Sequence, residues 1–422
     1  MKKTFLPFAL FTLLLTACCK DGDGLLWLDL LLPDGVATPC DSSRATPYHS
    51  SYTGQGNLSN LRLSDGYQVL TVSLDSLFWS DLRSGALLYS IASPAAGKAF
   101  SYADAIYRHG DLAIASSSTK LTAINLKTGK LAWERTLGDC AIDKGVFGVG
   151  DQYFVTRKIR EADGVSAHAL FVGDLHDADR LDMLFTPAYS RDTHAWAGYG
   201  WITEVAAFAG EDGHSYILTA FFETQKGTIA IANFVGLYDV TARSWVYERR
   251  PVFGRSANTH TSIRHMVING TSAYFTLENK LIHWNLAAGN LVDSVLLFDK
   301  NKDVSPHAIS YVTAEALWAN DQQVIVQTSG DVQFFAQADL APLYRLDCGA
   351  VRTDFDLDRL FAFSGGAMEV YKLSTGEKLS TIMPPCEGFT RNIAAWKGSH
   401  DRIELSIVGR ANNIYRYTLA AN

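Results

Sequence analysis

The sequence is short of the features that mark most other protein classes. After its first residues it has no apolar run near the roughly 20 residues that a membrane-crossing helix needs. It has no basic run, and its net charge of −7 argues against nucleic acid and against a polybasic membrane surface. Only 11 Pro among 422 residues, with 12% aromatics, argue against a disordered chain. There is no Gly-rich phosphate loop ending in Lys-Ser or Lys-Thr, no His-Glu-x-x-His and no Gly-x-Ser-x-Gly. Acid pairs occur, Glu211-Asp212 and Asp356 with Asp358, but each falls near an expected turn and reads as solvated loop charge. There is no Cys-x-x-Cys pair. Beyond Cys18 and Cys19 the cysteines are Cys40, Cys140, Cys348 and Cys386, whose wide spacing leaves their pairing open.

The N-terminus is more informative. Lys2-Lys3 precedes a short apolar stretch that ends Leu15-Thr16-Ala17-Cys18. This is signal-peptide anatomy with small residues before a Cys, which looks like a lipobox, so residues 1–17 are expected to be removed and Cys18 lipidated. Several acyl chains, each stabilised by about 0.8 kcal/mol per buried CH₂, would then hold the protein on a membrane without a spanning segment. The following Cys19-Lys20-Asp21-Gly22-Asp23 resembles the Lys-plus-acid tag of surface lipoproteins and reads equally well as a plain polar linker. The expected location is the bacterial outer membrane, facing the periplasm or the cell surface.

Self-similarity fills the rest of the chain. Residues 121–134 read LTAINLKTGKLAWE, residues 77–90 LFWSDLRSGALLYS, residues 281–294 LIHWNLAAGNLVDS and residues 368–381 MEVYKLSTGEKLST. Looser copies are VGLYDVTARSWVYE at 235–248 and VQFFAQADLAPLYR at 332–345, and a distorted one spans 169–185. Each unit reads as strand, turn, strand, with alternation placing one set of side chains on each face. Gly85, Gly129, Gly289 and Gly376 share one position in the turn, where a tight hairpin demands positive φ. Further short strands lie upstream of each unit, giving four antiparallel strands per repeat, the pattern of propeller blades.

The pattern carried by Leu121, Ala123, Asn125, Thr128, Gly129 and Trp133 resembles the repeat of pyrroloquinoline-quinone-type propellers, over nearly all of residues 57–422. Eight unit starts can be counted along the chain, which predicts an all-β, eight-bladed β-propeller, with seven blades as the alternative. The resemblance implies that the Trp and the Gly knit neighbouring blades together. Trp79, Trp245 and Trp284 fall off the Trp133 position, so this signature reads as degraded. The last unit, IYRYTLAAN at 414–422, covers only half a repeat, and its outer strand is expected from the N-terminal segment, residues 18–56. Residues 24–32 are the first choice, and a strand within 45–60 the alternative. Quinone enzymes of this type use a vicinal disulfide in the body of the propeller. The only adjacent pair here is Cys18-Cys19, so no quinone or other cofactor is expected.

The candidate sites follow from the repeat. Asp192-Thr193-His194-Ala195, Asn258-Thr259-His260-Thr261 and Ser305-Pro306-His307-Ala308 resemble one another at the start of successive innermost strands. His194, His260 and His307 could therefore converge at one channel mouth as ligands of Zn²⁺ or of a small molecule, or pack individually at blade junctions. A second candidate is a binding face of Trp196, Tyr199 and Trp201 with Arg255 and Arg264, next to a turn built from His176, Asp177, Asp179 and Arg180. The expected function is a non-catalytic interaction or scaffold propeller with envelope protein partners, no nucleic acid, and membrane contact through the lipid alone. It is similar in kind to the propeller lipoprotein of the outer-membrane protein assembly machine. The alternative is a metal- or small-ligand-binding propeller, with a hydrolase as one form of it.

Overall fold

In the computed structural model the described residues are the greater part of 106–420 together with short strands between 36 and 92. Residues 93–105, 188–199, 225–230, 254–260 and 298–313 are among those outside it. Among the described residues there is no helix, and so none that could cross a membrane. The described strands group into eight sheets, each an antiparallel meander at its centre, and the chain divides into two compact units.

The first unit holds six sheets in chain order. Sheet I comprises Arg62–Ser64, Gln68–Val72, Ser76–Asp81 and Ala86–Ala92. Sheet II comprises Ile106–His109, Leu112–Ser116, Lys120–Asn125 and Lys130–Thr136. Sheet III comprises Ile142–Val149, Gln152–Arg160, Ser166–Asp174 and Asp177–Phe185. Sheet IV comprises Gly200–Ala209, Ser215–Thr224, Ile231–Asp239 and Ser244–Pro251. Sheet V comprises Arg264–Asn269, Ser272–Leu277, Lys280–Asn285 and Asn290–Leu296. Sheet VI comprises Ala314–Ala319, Gln323–Thr328, Val332–Ala336 and Pro342–Leu346. From sheet II to sheet VI the first strand of each sheet lies beside the first strand of the next. First strands side by side, with the sheets stacked face to face, are the construction of a β-propeller.

The apolar residues make that stacking. One core cluster joins sheets II and III through Ile114, Leu121, Val146 and Tyr153. The next joins III and IV through Phe154, Leu170, Ile217 and Phe221. Leu218, Val235, Phe275 and Trp284 join IV and V, and Tyr274, Leu281, Val324 and Phe335 join V and VI. A middle strand therefore has a packed sheet on each face. Leu121–Ile124 and Gln323–Thr328 are buried at every residue, so the middle strands run continuously buried where the repeat suggested alternation. The fourth strand is mostly exposed, as in Lys130–Thr136.

The Gly position of the repeat behaves as the turn requires. Gly129, Gly289 and Gly376 have φ of 65°, 61° and 75°. Sheets IV and VI place Arg243 and Leu340 at the equivalent position, with φ of 54° and 53°, so the turn keeps its shape even without Gly. In sheets II, IV and V the polar residue four positions earlier holds it: Asn125 Oδ1 accepts from the Thr128 amide at 3.0 Å, Asp239 Oδ1 from Ala242 at 2.8 Å and Asn285 Oδ1 from Ala288 at 2.7 Å.

Contacts from one sheet to the next are made at the Trp133 position, by Trp in sheet II and by Tyr in sheets I and IV. Trp133 Nε1 donates to the Leu175 carbonyl in the following sheet at 2.7 Å. The matching position of sheet I is Tyr89, whose ring lies against Gly129 and whose hydroxyl donates to Lys127 O at 3.1 Å. In sheet IV it is Tyr247, whose ring covers Gly289 and whose hydroxyl accepts from Trp284 Nε1 at 3.2 Å. Burial pushes the Tyr247 phenol up to about 12, so it stays protonated. In sheets I and IV a Tyr ring thus packs across to the facing turn Gly from the position that Trp133 holds in sheet II.

The second unit holds two sheets. Sheet VII comprises Val351–Asp354, Arg359–Ser364, Ala367–Lys372 and Lys378–Ile382, and Val36–Ala37 adds to its outer edge in parallel. Sheet VIII comprises Phe389–Lys397, Arg402–Gly409 and Asn413–Ala420, with Thr46–Pro47 antiparallel beside the last of these. Pro47 is tolerated because an edge strand need not donate on its outer side. Phe361, Met368, Leu405 and Tyr417 form the core between the two sheets. The strand beside Asn413–Ala420 thus comes from the range 45–60, and residues 24–32 lie outside the described residues. Cys348 is a buried thiol at the start of this unit. Cys40, Cys140 and Cys386 lie outside the described residues.

Candidate functional site

A cavity of about 430 Å³ opens where the first strands of sheets IV and V begin. Its lining is Trp201, Thr203, Glu204 and Phe222 from sheet IV, with Ser262, Ile263, Arg264 and His265 from the entry into sheet V. Local irregularity in both strands shapes it. In sheet IV the register shifts between Ile202 and Glu204, so Thr203 is an extra residue that bends the strand. Ile202 stays wholly in the core and Thr203 Oγ1 donates to Ala220 O at 3.2 Å, while Trp201 and Glu204 reach the cavity. In sheet V the register shifts between Arg264 and Val267, and His265 within that bulge has φ of 50°.

Buried Asn233 holds the far wall. Its Nδ2 donates to Thr261 O at 2.9 Å and its Oδ1 accepts from the Ile263 amide at 3.2 Å. Behind Trp201, fully buried His168 stacks on the indole with ring centres 3.4 Å apart, and the Lys158 ammonium lies 4.8 Å from the indole centre. Lys158 and His168 are cross-strand partners in sheet III, so both approach Trp201 from the same sheet face. Arg264 is exposed, and no described residue pairs with its guanidinium.

The structure brings together two residues of the second sequence candidate, Trp201 and Arg264; Trp196, Tyr199 and Arg255 lie outside the described residues. His194, His260, His307 and Cys18 also lie outside them. Among the described residues no group of three or more His, Cys, Asp or Glu is arranged to hold a metal ion. Glu204, His265, Asn233 and His168 gave no sequence signal, because bulges and cross-sheet stacking have no local pattern.

The polar turn residues are engaged in holding turns. His176 Nε2 lies 3.2 Å from Asp151 Oδ1, and Arg180 bonds Asp174 at 3.3 Å. Asp212 accepts from the His214 amide and the Tyr216 hydroxyl, and Asp358 accepts from the Ser374 amide and hydroxyl. His214 Nδ1 lies 2.7 Å from Asp239 Oδ2.

Among the described residues the large exposed apolar side chains have one address. Leu88, Leu131, Met183, Val246, Val292, Leu296 and Leu343 all sit on fourth strands, and Met383 follows directly on one. Val292 and Leu296, 52% and 62% exposed, share the outer strand of sheet V, which carries no Lys, Arg or Pro.

No family model and no curated protein matches the chain. Solved structures with a similar course are the AfRom2 CNH domain, a eukaryotic initiation factor and the WD40 domain of SCAP from fission yeast. The first has a TM-score of 0.41 at 11% identity, covering 86% of this chain and 94% of the other. The second has 0.43 at 11%, covering 80% and 90%, and the third 0.49 at 11%, covering 90% and 95%.

Proposed function

We propose that this chain is a non-catalytic protein-interaction propeller, carried as a lipoprotein of the bacterial outer membrane through Cys18. The observation that carries the reading is that, among the described residues, the exposed large apolar side chains lie on fourth strands or, for Met383, directly after one. Such strands leave a row of backbone donors and acceptors unpaired at the edge, and an apolar side chain beside that row favours an added partner strand. Sheet VII supports the mode of binding, since Val36–Ala37 already lies along its outer edge. The lipid anchor rests on Leu15-Thr16-Ala17-Cys18 and the kinship to quinone-type propellers on the repeat around Trp133.

The test is a crosslinking pull-down from intact envelopes, comparing the parent with the double variant Val292→Asp, Leu296→Asp. Both side chains are exposed, so the variant is expected to melt like the parent and to lose its partners. Recovery of the same partners in equal yield would overturn the reading. The cavity beside Trp201 favours a second activity, ligand binding, which does not depend on the rim.

A further inference from the structure

We propose that the cavity between the first strands of sheets IV and V binds a small planar aromatic carboxylate. The inference stands apart from the rim and from the lipid anchor.

Its volume of about 430 Å³ falls within the roughly 300–1,000 Å³ of small-molecule sites. Trp201 and Phe222 supply flat apolar surface. Trp201 is held as a fixed platform, because His168 stacks behind it and is itself wholly buried. An aromatic ligand therefore meets an ordered ring and loses little freedom of the protein on binding.

The charge pattern selects an anion. Arg264 is a cation in the lining with no described partner. The one acid in the lining, Glu204, already interacts within the protein. A guanidinium presents two parallel N–H groups that match a carboxylate. The backbone is built to keep Arg264 in place. The Arg264 carbonyl accepts from Thr276 Oγ1 at 2.9 Å, and Asn233 clamps the segment immediately before it. A cationic aromatic compound would meet Arg264 unfavourably, and a neutral one would leave the guanidinium unmatched.

The test is titration of the full chain in detergent with 2-naphthoate, with neutral 2-naphthamide and cationic 2-naphthylmethylamine as comparisons, followed by calorimetry and ligand-observed NMR. Naphthoate is expected to bind saturably, at least roughly tenfold more tightly than naphthamide, in line with one charge-assisted pair. Arg264→Gln is expected to remove that preference, so that naphthoate and naphthamide bind with similar affinity. Arg264 is exposed, so this variant keeps its fold. Phe222→Leu is expected to weaken naphthoate and naphthamide alike. Absence of saturable naphthoate binding, equal affinity for naphthamide, or an Arg264→Gln variant that still prefers naphthoate would each overturn the proposal.

Discussion

The Trp133 indole donates to the Leu175 carbonyl at 2.7 Å, tying the outer strand of one sheet to the turn of the next. Trp133→Phe keeps the ring and deletes the donor, so it is expected to cost about 1 kcal/mol. Trp133→Ala also removes packing against Tyr153, with ring centres 6.0 Å apart, and is expected to cost about 3 kcal/mol. Urea unfolding of both variants, where it is reversible, checks the order and the gap.

Tyr89 and Gly129 form the same junction one sheet earlier. A Cβ on Gly129 would lie 2.2 Å from the Tyr89 ring, and its φ of 65° adds strain. Gly129→Ala is expected to destabilise by about 2–4 kcal/mol. At Gly213, with φ of 80° and nothing within 4 Å, the same change carries only the backbone strain. Adding Tyr89→Ala to Gly129→Ala should recover part of the loss, a coupling of about 0.5–3 kcal/mol in a double-mutant cycle.

Arg243 and Leu340 hold the left-handed turn position without Gly. Arg243 is exposed, so Arg243→Gly is expected to relieve strain and raise stability by up to about 1 kcal/mol. Leu340 is 2% exposed, and Leu340→Gly is expected to lower stability because the lost burial outweighs the relief. Thermal melts of the pair should move in opposite directions.

Much of this frame is legible in the sequence. Asn125, Thr128 and Gly129 encode a turn whose hydrogen bonds and positive φ are local, so the repeat announces them. The Tyr89 and Tyr247 junctions were hidden because the expected residue was Trp, although any flat ring covers the facing Gly. Burial of the middle strands on both faces is a property of stacked sheets and leaves no period of two. The cavity was half legible: Trp201 and Arg264 stand out by type, whereas Glu204 and His265 reach it only through register shifts that no spacing reveals.

His214 and Asp239 give the turn of sheet IV a pH dependence. The Asp239 hydrogen bond, then its charge, raise the His214 imidazole above its ordinary value. Burial acts to raise Asp239, but the Ala242 amide and His214 outweigh it and leave the carboxyl low. The His214 contribution is therefore full below the unfolded imidazole pKa and fades as pH rises through the raised folded value. The Asp239 contribution is present above the unfolded carboxyl pKa and fades as pH falls through the lowered folded value. Asp239→Asn is expected to bring His214 back towards its ordinary titration, as read by NMR of the imidazole protons.

Lipidation at Cys18 is tested by Cys18→Ser. The variant is expected to accumulate as unprocessed precursor or as soluble protein. A lipid-modified membrane form of Cys18→Ser would refute the anchor.

The most direct measurement on the interaction rim is photo-crosslinking in living cells. A photoreactive residue is placed at Val292 or Leu296 on the outer strand of sheet V, and a control probe at exposed Glu211 in the first turn of sheet IV. Discrete protein adducts from positions 292 and 296, absent from position 211, are the outcome expected of an outer-strand docking surface. Adducts from position 211 with none from 292 or 296 would contradict it.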